Sequence, residues 1–199
     1  MKPLEAIEWC NIWATACDQE AGAPRLLLVG DSITQSYYDA VARLLDGRYR
    51  CARITTSRCA GDPQLKREMA LLLDELPFAV VHFNNGLHGW DYDEPAYAAG
   101  LADAFDFLRE RVPQGRLIWA STTPVWEKSN TGVLNAAKTD RVRERNRLAA
   151  DLAARRGIPV NDLFSRVIGH PELISPDGVH FAPAGQEALA AQVAACVER

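Results

Sequence analysis

The chain contains 199 residues, of which 48% are hydrophobic and 24% are charged. This composition excludes global disorder and predicts one globular domain over residues 1–199, whose core needs no disulfide or metal. The 22 Lys and Arg residues against 26 Asp and Glu residues give a net charge of −4, and without any basic run this argues against nucleic-acid binding.

The first twenty residues carry four acidic side chains where a secretory signal would need an uninterrupted apolar stretch. The longest aliphatic run, residues 26–29, is far below the ~20 residues that a membrane-spanning helix needs. We therefore expect a cytoplasmic protein with no membrane partner. The cysteines form no CxxC pair, so reduced and mostly buried thiols are predicted rather than disulfides or a zinc site. They are Cys10, Cys17, Cys51, Cys59 and Cys196.

Short apolar runs alternate with helix-like periodicity along the chain, which is typical of α/β proteins. The run Arg25–Gly30, RLLLVG, is almost continuously apolar and predicts a strand buried on both faces, as in a parallel sheet. Four more strands are predicted at residues 50–55, 78–83, 117–120 and 158–160.

Helical stripes separate these strands. They are predicted over residues 65–76, 101–112 and 140–156, and after Pro183. Right-handed crossovers between parallel strands then predict a three-layer αβα sandwich, flavodoxin-like, with about five parallel strands. Because ligands bind beyond the carboxyl ends of such strands, functional residues are expected where the strands end.

The first strand ends in the sequence Gly30-Asp31-Ser32-Ile33-Thr34, with a helix predicted to begin near Gln35. A serine at this junction can present its hydroxyl from a tight turn, while its backbone N–H points into the same space from a helix N-terminus. Ser32 is therefore a candidate nucleophile. The alternative is that Asp31 or Ser32 only caps the helix.

Near the other end of the chain, Asp177 precedes His180 by three residues in the sequence Asp-Gly-Val-His, just before the last predicted helix. This spacing lets a carboxylate hold one nitrogen of an imidazole while the other nitrogen takes a proton from a serine. The alternative is a loop aspartate beside a structural histidine.

These two segments, GDSIT and DGVH, resemble the hallmark blocks of the SGNH (GDSL-type) hydrolase superfamily in order and position. The resemblance spans nearly the whole chain and implies the SGNH hydrolase fold. It implies Ser32 as the nucleophile, His180 as the general base, Asp177 as the residue that orients it, and the Ser32 N–H as one oxyanion donor. The second block of the family resembles Cys59-Ala60-Gly61-Asp62-Pro63, which implies the Gly61 N–H as another donor; alternatively, Gly61 is an ordinary turn glycine.

The third block departs from the family pattern Gly-x-Asn-Asp, since the third strand runs into His82-Phe83-Asn84-Asn85-Gly86. The best match makes Asn84 the oxyanion asparagine, and a register one residue later makes it Asn85. Either carboxamide could donate to developing negative charge without being deprotonated. An Asn-Asn-Gly turn with no chemistry is the remaining alternative.

Downstream of this block, His88 and Trp90 are candidate substrate contacts. A tryptophan at a strand end can stack on a sugar ring, although Trp90, Trp119 and Trp126 could equally belong to the core. His88 could instead be a turn histidine bonded to backbone. His82 and His170 are interpreted as structural, and the four histidines lack metal-ligand spacing, so no metal or cofactor is expected.

The resemblance and these residues together predict a serine esterase. Its substrate is expected to be a small-molecule acyl ester, above all an acetyl ester of a carbohydrate or related metabolite, hydrolysed through an acyl-enzyme. Three alternatives remain open: an acyltransferase, a thioesterase or lysophospholipase acting on longer acyl chains, and a non-catalytic binding module with the same fold. The oligomeric state is not indicated by the sequence.

Overall fold

Six strands form the main sheet of the computed structural model, which describes residues 4–18 and 22–199. They are β1 (Cys10–Ala14), β2 (Arg25–Gly30), β3 (Arg50–Thr56), β4 (Val80–Asn84), β5 (Arg116–Ala120) and β8 (Val160–Asn161). Two more strands, β6 (Trp126–Glu127) and β7 (Asn130–Leu134), form a separate hairpin.

The strands of the main sheet lie in the order β1-β3-β2-β4-β5-β8, and β1 alone among them runs antiparallel to its neighbour. Taken in chain order, the five parallel strands follow the flavodoxin-like order. The order changes direction between β2 and β4, and ligands bind at such a switch point beyond the strands' carboxyl ends. The predicted fold class is confirmed, with one strand more in the main sheet than expected.

Helices cover both faces of the sheet. One face carries α1 (Ser32–Leu44), α5 (Leu163–Val167) and α6 (Pro183–Val197), and the other carries α2 (Gln64–Leu73), α3 (Glu94–Arg111) and α4 (Ala136–Arg155). None of the helices in the described part of the chain has both the length and the apolar character that a bilayer span requires.

Strand β2 shows why its sequence folds as a central strand. Leu26 and Leu28 enter the core beneath α1 and α6, whereas Leu27 and Val29 enter the core beneath α2 and α3. All four side chains are fully buried. The uninterrupted apolar run thus fills two cores at once, which an alternating strand could not do.

The predicted boundaries differ from the structure at a few places. Strands β4 and β8 begin two residues later than predicted, and α1 begins at Ser32 rather than near Gln35. Strand β1 and the β6–β7 hairpin were not predicted. The sequence of β1, CNIWA, is mostly apolar. The strand is nevertheless exposed over Cys10–Trp13, so its apolar residues do not mark a buried strand.

The cysteines are free thiols, but the prediction that most of them are buried is wrong. Only Cys51 and Cys59 are buried, while Cys10 and Cys17 are exposed and Cys196 is half-buried. The two exposed thiols lie on or next to β1, the strand that the sequence pattern did not reveal.

His82 lies inside β4, and its burial makes the stability of the fold depend on pH. Its Nε2 contacts Asn161 Nδ2 at 3.0 Å, and burial lowers its pKa from the ordinary 6.5 to about 4. The unfolded chain therefore binds a proton at His82 at a higher pH than the folded protein does. As a result, the contribution of His82 to the free energy of unfolding is complete above about pH 6.5 and declines between pH 6.5 and 4. Integrated over this window, the loss is about 3 kcal/mol.

Urea unfolding at pH 7, 5.5 and 4 should therefore show a smaller loss of stability in His82→Gln than in the wild type. Glutamine keeps an acceptor for Asn161 but does not titrate in this range. The exposed His170 provides the matched control, because His170→Gln should retain the wild-type pH dependence. Equal slopes in wild type and His82→Gln would contradict a buried, neutral His82.

Candidate active site

Ser32 is the first residue of α1 and follows β2 after a single residue. Asp31 caps the helix, with its Oδ1 accepting a hydrogen bond from the Ile33 N–H at 2.9 Å. The Ser32 N–H has no hydrogen-bond partner among the described residues, so it remains available at the positive end of the helix dipole. Asp31 therefore supplies the helix cap, and this cap is compatible with the predicted role of Ser32, because it leaves the Ser32 N–H unoccupied.

Asp31 places a buried carboxyl group behind the serine. Burial raises its pKa, although His88, the Ile33 N–H and His180 act in the opposite direction. Its Oδ2 has no hydrogen-bond partner among the described residues. The His88 and His180 side chains both lie beside Ser32, at the start of α1.

Asp177 and His180 are held by a tight turn between Ser175 and His180. Ser175 N–H donates to the His180 carbonyl at 2.8 Å, and Gly178 N–H donates to the Ser175 carbonyl at 3.0 Å. Gly178 has a φ of +77°, and a Cβ there would lie 2.4 Å from the Trp126 carbonyl oxygen. The position therefore requires glycine, both for the turn and for its close approach to the β6–β7 hairpin.

The Asp177 carboxylate binds the turn and the imidazole together. Its Oδ1 accepts from the Val179 N–H at 2.8 Å and the His180 N–H at 2.9 Å, while its Oδ2 lies 2.7 Å from His180 Nδ1. Burial opposes ionisation, but the two backbone N–H groups and the imidazole together hold the Asp177 pKa below its usual range. The carboxylate is therefore ionised at neutral pH.

His180 Nε2 lies 2.8 Å from Ser32 Oγ, across 148 residues of sequence. With an ionised Asp177 at Nδ1, the favoured neutral tautomer carries its proton on Nδ1 and leaves Nε2 as an acceptor for the serine hydroxyl. The structure thus brings Ser32, His180 and Asp177 into one continuous hydrogen-bonded chain.

Helix packing joins these two distant segments. Helices α1 and α6 lie side by side on the same face of the sheet, with Tyr37 and Val41 in one buried cluster with Leu189 and Val193. Ser32 begins α1, and His180 comes three residues before α6 begins at Pro183. The apolar faces of the two helices therefore set the distance between the hydroxyl and the imidazole.

The two asparagines at the end of β4 have different partners. Asn84 Nδ2 donates to the Ala120 carbonyl at 2.8 Å, which uses one of its two N–H bonds. Asn85 is committed at both ends, because its Oδ1 accepts from the Ala60 N–H at 2.8 Å and its Nδ2 donates to the Arg58 carbonyl at 2.9 Å. Asn85 therefore fastens the segment after β3, whereas Asn84 retains a donor.

Gly61 lies in that fastened segment, before α2. Its N–H faces the sulfur of Cys59, whose pKa is raised by burial and lowered by this contact. A Cβ at Gly61 would lie 2.7 Å from the Tyr92 ring. No described contact joins Gly61 to Ser32.

A cavity of about 490 Å³ opens beside the serine. Its lining residues are Trp9, Cys10, Asn11, Ser32, Gln35, His88 and His180. Of these, the sequence patterns pointed to Ser32, His88 and His180. The Trp9–Asn11 stretch reaches the site because β1 pairs with β3, an association that a short exposed strand does not signal in sequence.

The loop that carries His88 is held from below by Arg145 of α4, whose side chain is fully buried. Its guanidinium donates to the carbonyls of Gly86 at 3.0 Å, His88 at 2.8 Å and Gly89 at 2.9 Å. Burial lowers its pKa, but these carbonyls and the nearby Glu94 compensate the charge. Arg145 thereby fixes the path of the loop after β4.

The tryptophans that the sequence offered as substrate contacts do not line the cavity beside Ser32. Trp90 lies outside the lining of the Ser32 cavity, and the guanidiniums of Arg141 and Arg145 lie 5.4 and 5.0 Å from its ring centroid. Trp119 is fully buried in the core and Trp126 nearly so. Trp9 is the indole that borders the cavity.

A serine, histidine and aspartate hydrogen-bonded in this order, above the carboxyl edge of a parallel sheet, form the constellation of the serine hydrolases. The profile of the GDSL-like Lipase/Acylhydrolase family matches residues 28–188 of the chain. The chain belongs to this family, as the resemblance of its sequence blocks predicted. No curated protein matches the sequence closely.

Solved structures share the fold at low sequence identity. A GDSL-like lipase from Bacteroides thetaiotaomicron is 17% identical, with 88% of each chain covered and a TM-score of 0.68. The aryl esterase of M. smegmatis is 17% identical over 88% of this chain and 99% of its own, with a TM-score of 0.66. An alpha/beta hydrolase enzyme from the metagenome of Lake Arreo is 18% identical over 89% and 96%, with a TM-score of 0.71.

Proposed function

We propose that this protein is a serine esterase that hydrolyses small acyl esters, above all acetyl esters of a carbohydrate or related metabolite. The observation that carries the proposal is the hydrogen-bonded chain from Asp177 through His180 to Ser32, with distances of 2.7 and 2.8 Å. Such a chain is what a serine needs to act as a nucleophile at neutral pH.

In the first half of the reaction, Ser32 Oγ attacks the carbonyl carbon of the ester and His180 Nε2 takes the hydroxyl proton. Asp177 stabilises the imidazolium that forms. His180 then gives the proton to the leaving alcohol oxygen, and the acyl group stays on Ser32. In the second half, water attacks this acyl-enzyme while His180 takes a proton from it, and the carboxylic acid leaves as Ser32 regains its hydrogen.

The oxyanion of each tetrahedral intermediate would be held by the Ser32 N–H and by the second N–H of the Asn84 carboxamide. Asn84 is favoured over Asn85 because both the oxygen and the nitrogen of the Asn85 carboxamide are already hydrogen-bonded, to the Ala60 N–H and the Arg58 carbonyl. The role of Gly61 as a further donor stays a prediction.

Asn84→Ala should lower kcat by about 10²- to 10³-fold, because one oxyanion donor is lost. Asn85→Ala should act mainly on the fold, leaving the Ala60 N–H and Arg58 carbonyl without partners and destabilising by about 2–3 kcal/mol. Measuring kcat and urea unfolding for both variants checks the assignment. A larger fall of kcat in Asn85→Ala than in Asn84→Ala, for folded protein, would assign the role to Asn85.

The lining of the cavity supports a small substrate with a polar alcohol portion. Its volume of about 490 Å³ lies within the usual range for small-molecule pockets. Asn11 and Gln35 supply polar side chains, and the Trp9 indole offers an aromatic face. The aryl esterase among the structural neighbours makes aryl acetates suitable first substrates.

Labelling with a fluorophosphonate probe tests the proposal, since only an activated serine reacts quickly with it. The wild type should be labelled and should hydrolyse p-nitrophenyl acetate faster than p-nitrophenyl esters longer than C6. A maximum at longer chains would favour a thioesterase or lysophospholipase, and ester formation with an added sugar would favour an acyltransferase. Absence of both labelling and turnover would favour a binding module.

We also propose the cytoplasm as the compartment in which the protein acts. The exposed free thiols of Cys10 and Cys17 support it, because exposed thiols persist unpaired most readily under reducing conditions.

A further inference from the structure

A second carboxylate–imidazole pair borders the cavity that contains Ser32. Both oxygens of the Glu5 carboxylate lie within hydrogen-bond distance of His88 Nδ1, at 2.9 and 3.0 Å. The same carboxylate accepts a hydrogen bond from the Gly89 N–H at 3.0 Å. The pair joins segments 83 residues apart in sequence, so no local pattern marks it.

The His88 ring is fixed on other sides as well. The Trp9 indole lies edge-on to it, with ring centroids 6.2 Å apart and an interplanar angle of 76°. Below the loop, Arg145 holds the His88 carbonyl at 2.8 Å. A histidine held at its ring, its carbonyl and the next backbone N–H keeps a single orientation at the cavity wall.

Only one polar atom of the ring remains for a ligand. Glu5 takes Nδ1, and among the described residues no hydrogen bond reaches Nε2, which is also absent from the set of fully buried, unpartnered atoms. In the tautomer whose Nδ1 proton is donated to the Glu5 carboxylate, Nε2 carries a lone pair and accepts a hydrogen bond.

We propose that His88, oriented by Glu5, accepts a hydrogen bond from a free hydroxyl on the alcohol portion of the ester. The inference rests on the proposed esterase function and narrows its substrate class to acyl esters of polyols or sugars. His88 acts here as a specificity-determining residue, and Glu5 acts as a positioning residue through it.

The charges around the cavity favour a neutral hydroxyl over an anionic group. The Glu5 carboxylate lies behind His88, with both of its oxygens within 3.0 Å of Nδ1. A negatively charged acyl or alcohol portion at His88 would be repelled by the Glu5 carboxylate. A hydroxyl instead donates a hydrogen bond to the Nε2 lone pair of this tautomer.

Two acetyl esters that differ only in hydroxyl groups test the inference: 1-acetylglycerol and propyl acetate. The wild type should show a higher kcat/KM for 1-acetylglycerol. In His88→Ala, kcat/KM for 1-acetylglycerol should fall about tenfold more than kcat/KM for propyl acetate, since one substrate hydrogen bond is lost. His88→Gln, which keeps an acceptor oxygen, should restore part of the preference.

Glu5→Gln should reduce the preference in the same direction, because an amide N–H₂ facing Nδ1 favours the tautomer with the proton on Nε2. Glu172→Gln is the matched control. It makes the same change in the exposed pair of His170 Nδ1 and Glu172, which are 2.9 Å apart, and should leave both rates unchanged.

Equal losses for both esters in His88→Ala would overturn the inference, since a purely structural role weakens both reactions alike. A wild type that hydrolyses propyl acetate without preferring 1-acetylglycerol would overturn it too, while the esterase function stands. A wild type inactive on both esters and on p-nitrophenyl acetate would refute the esterase function, and the inference with it.

Discussion

Ser32→Ala should lower kcat for p-nitrophenyl acetate by at least about 10³-fold, the scale of loss seen when a catalytic serine is removed from other hydrolases. The reason is that the hydroxyl bonded to His180 Nε2 at 2.8 Å is the group that would form the acyl-enzyme. The half-exposed position of Ser32 means that losing Oγ leaves no cavity in the core, so stability should change little. Initial rates and thermal unfolding check both parts.

Ser36→Ala is the matched control for this experiment. Ser36 lies one turn further along α1 and donates to the Ile33 carbonyl at 2.8 Å, outside the cavity lining. It should retain wild-type turnover and fluorophosphonate labelling, whereas Ser32→Ala should lose both. A residual rate above about one hundredth of wild type in Ser32→Ala would show that another group is the nucleophile.

The central sheet could be predicted because its strands carry their burial in their own sequence. In β2 every residue is buried, and the same is true of β4. Both contain apolar residues in succession, at 26–29 in β2 and at 80–81 in β4. In β1 composition and burial disagree, since its sequence CNIWA is mostly apolar but four of its five residues are exposed. Its place is set by backbone pairing to β3, and this pairing has no sequence pattern of its own.

Among the residues of the candidate site, too, some lie in local sequence motifs and others reach the site only through the fold. Ser32, Asp177 and His180 lie in short segments whose residue order reflects local geometry, namely a helix start and a tight turn. Glu5 and Arg145 reach the site through contacts between distant segments. Helical spacing places Arg145 on the buried stripe of α4 with Val142 and Ala149, away from exposed Arg143 and Arg147. The sequence does not show which partners stabilise its buried charge, because those carbonyls are assembled only by the fold.

The path of the loop after β4 also depends on contacts with a distant segment. Five carbonyls of this loop accept hydrogen bonds from two arginines. Arg145 donates to those of Gly86, His88 and Gly89, and Arg141 donates to those of Trp90 and Tyr92 at 2.7 Å each. The sequence places a candidate histidine in this loop but gives no means of orienting it. Both arginines come from α4, more than fifty residues later, and they decide where His88 stands.

Asp177→Asn should reduce kcat by about 10³- to 10⁴-fold while leaving the turn intact, by analogy with the same change in trypsin-like triads. The asparagine Oδ1 can still accept from the Val179 and His180 N–H groups, which Asp177 binds at 2.8 and 2.9 Å. Its Nδ2 would then donate to His180 Nδ1, so the ring proton moves to Nε2. A protonated Nε2 faces Ser32 Oγ as a donor and cannot take its proton.

Asp177→Asn therefore tests the effect of the carboxylate on the imidazole tautomer while the hydrogen bonds of the turn are kept. Asp93→Asn, which keeps the exposed cap of α3 where Asp93 accepts from the Ala96 N–H at 2.8 Å, should show wild-type kcat and serves as the control. Activity of Asp177→Asn within tenfold of wild type, with unfolding unchanged, would mean that Asp177 only shapes the turn and that His180 needs no carboxylate. A loss of activity explained by unfolding would show instead that the ionised carboxylate, whose pKa the turn holds low, is required for the fold itself.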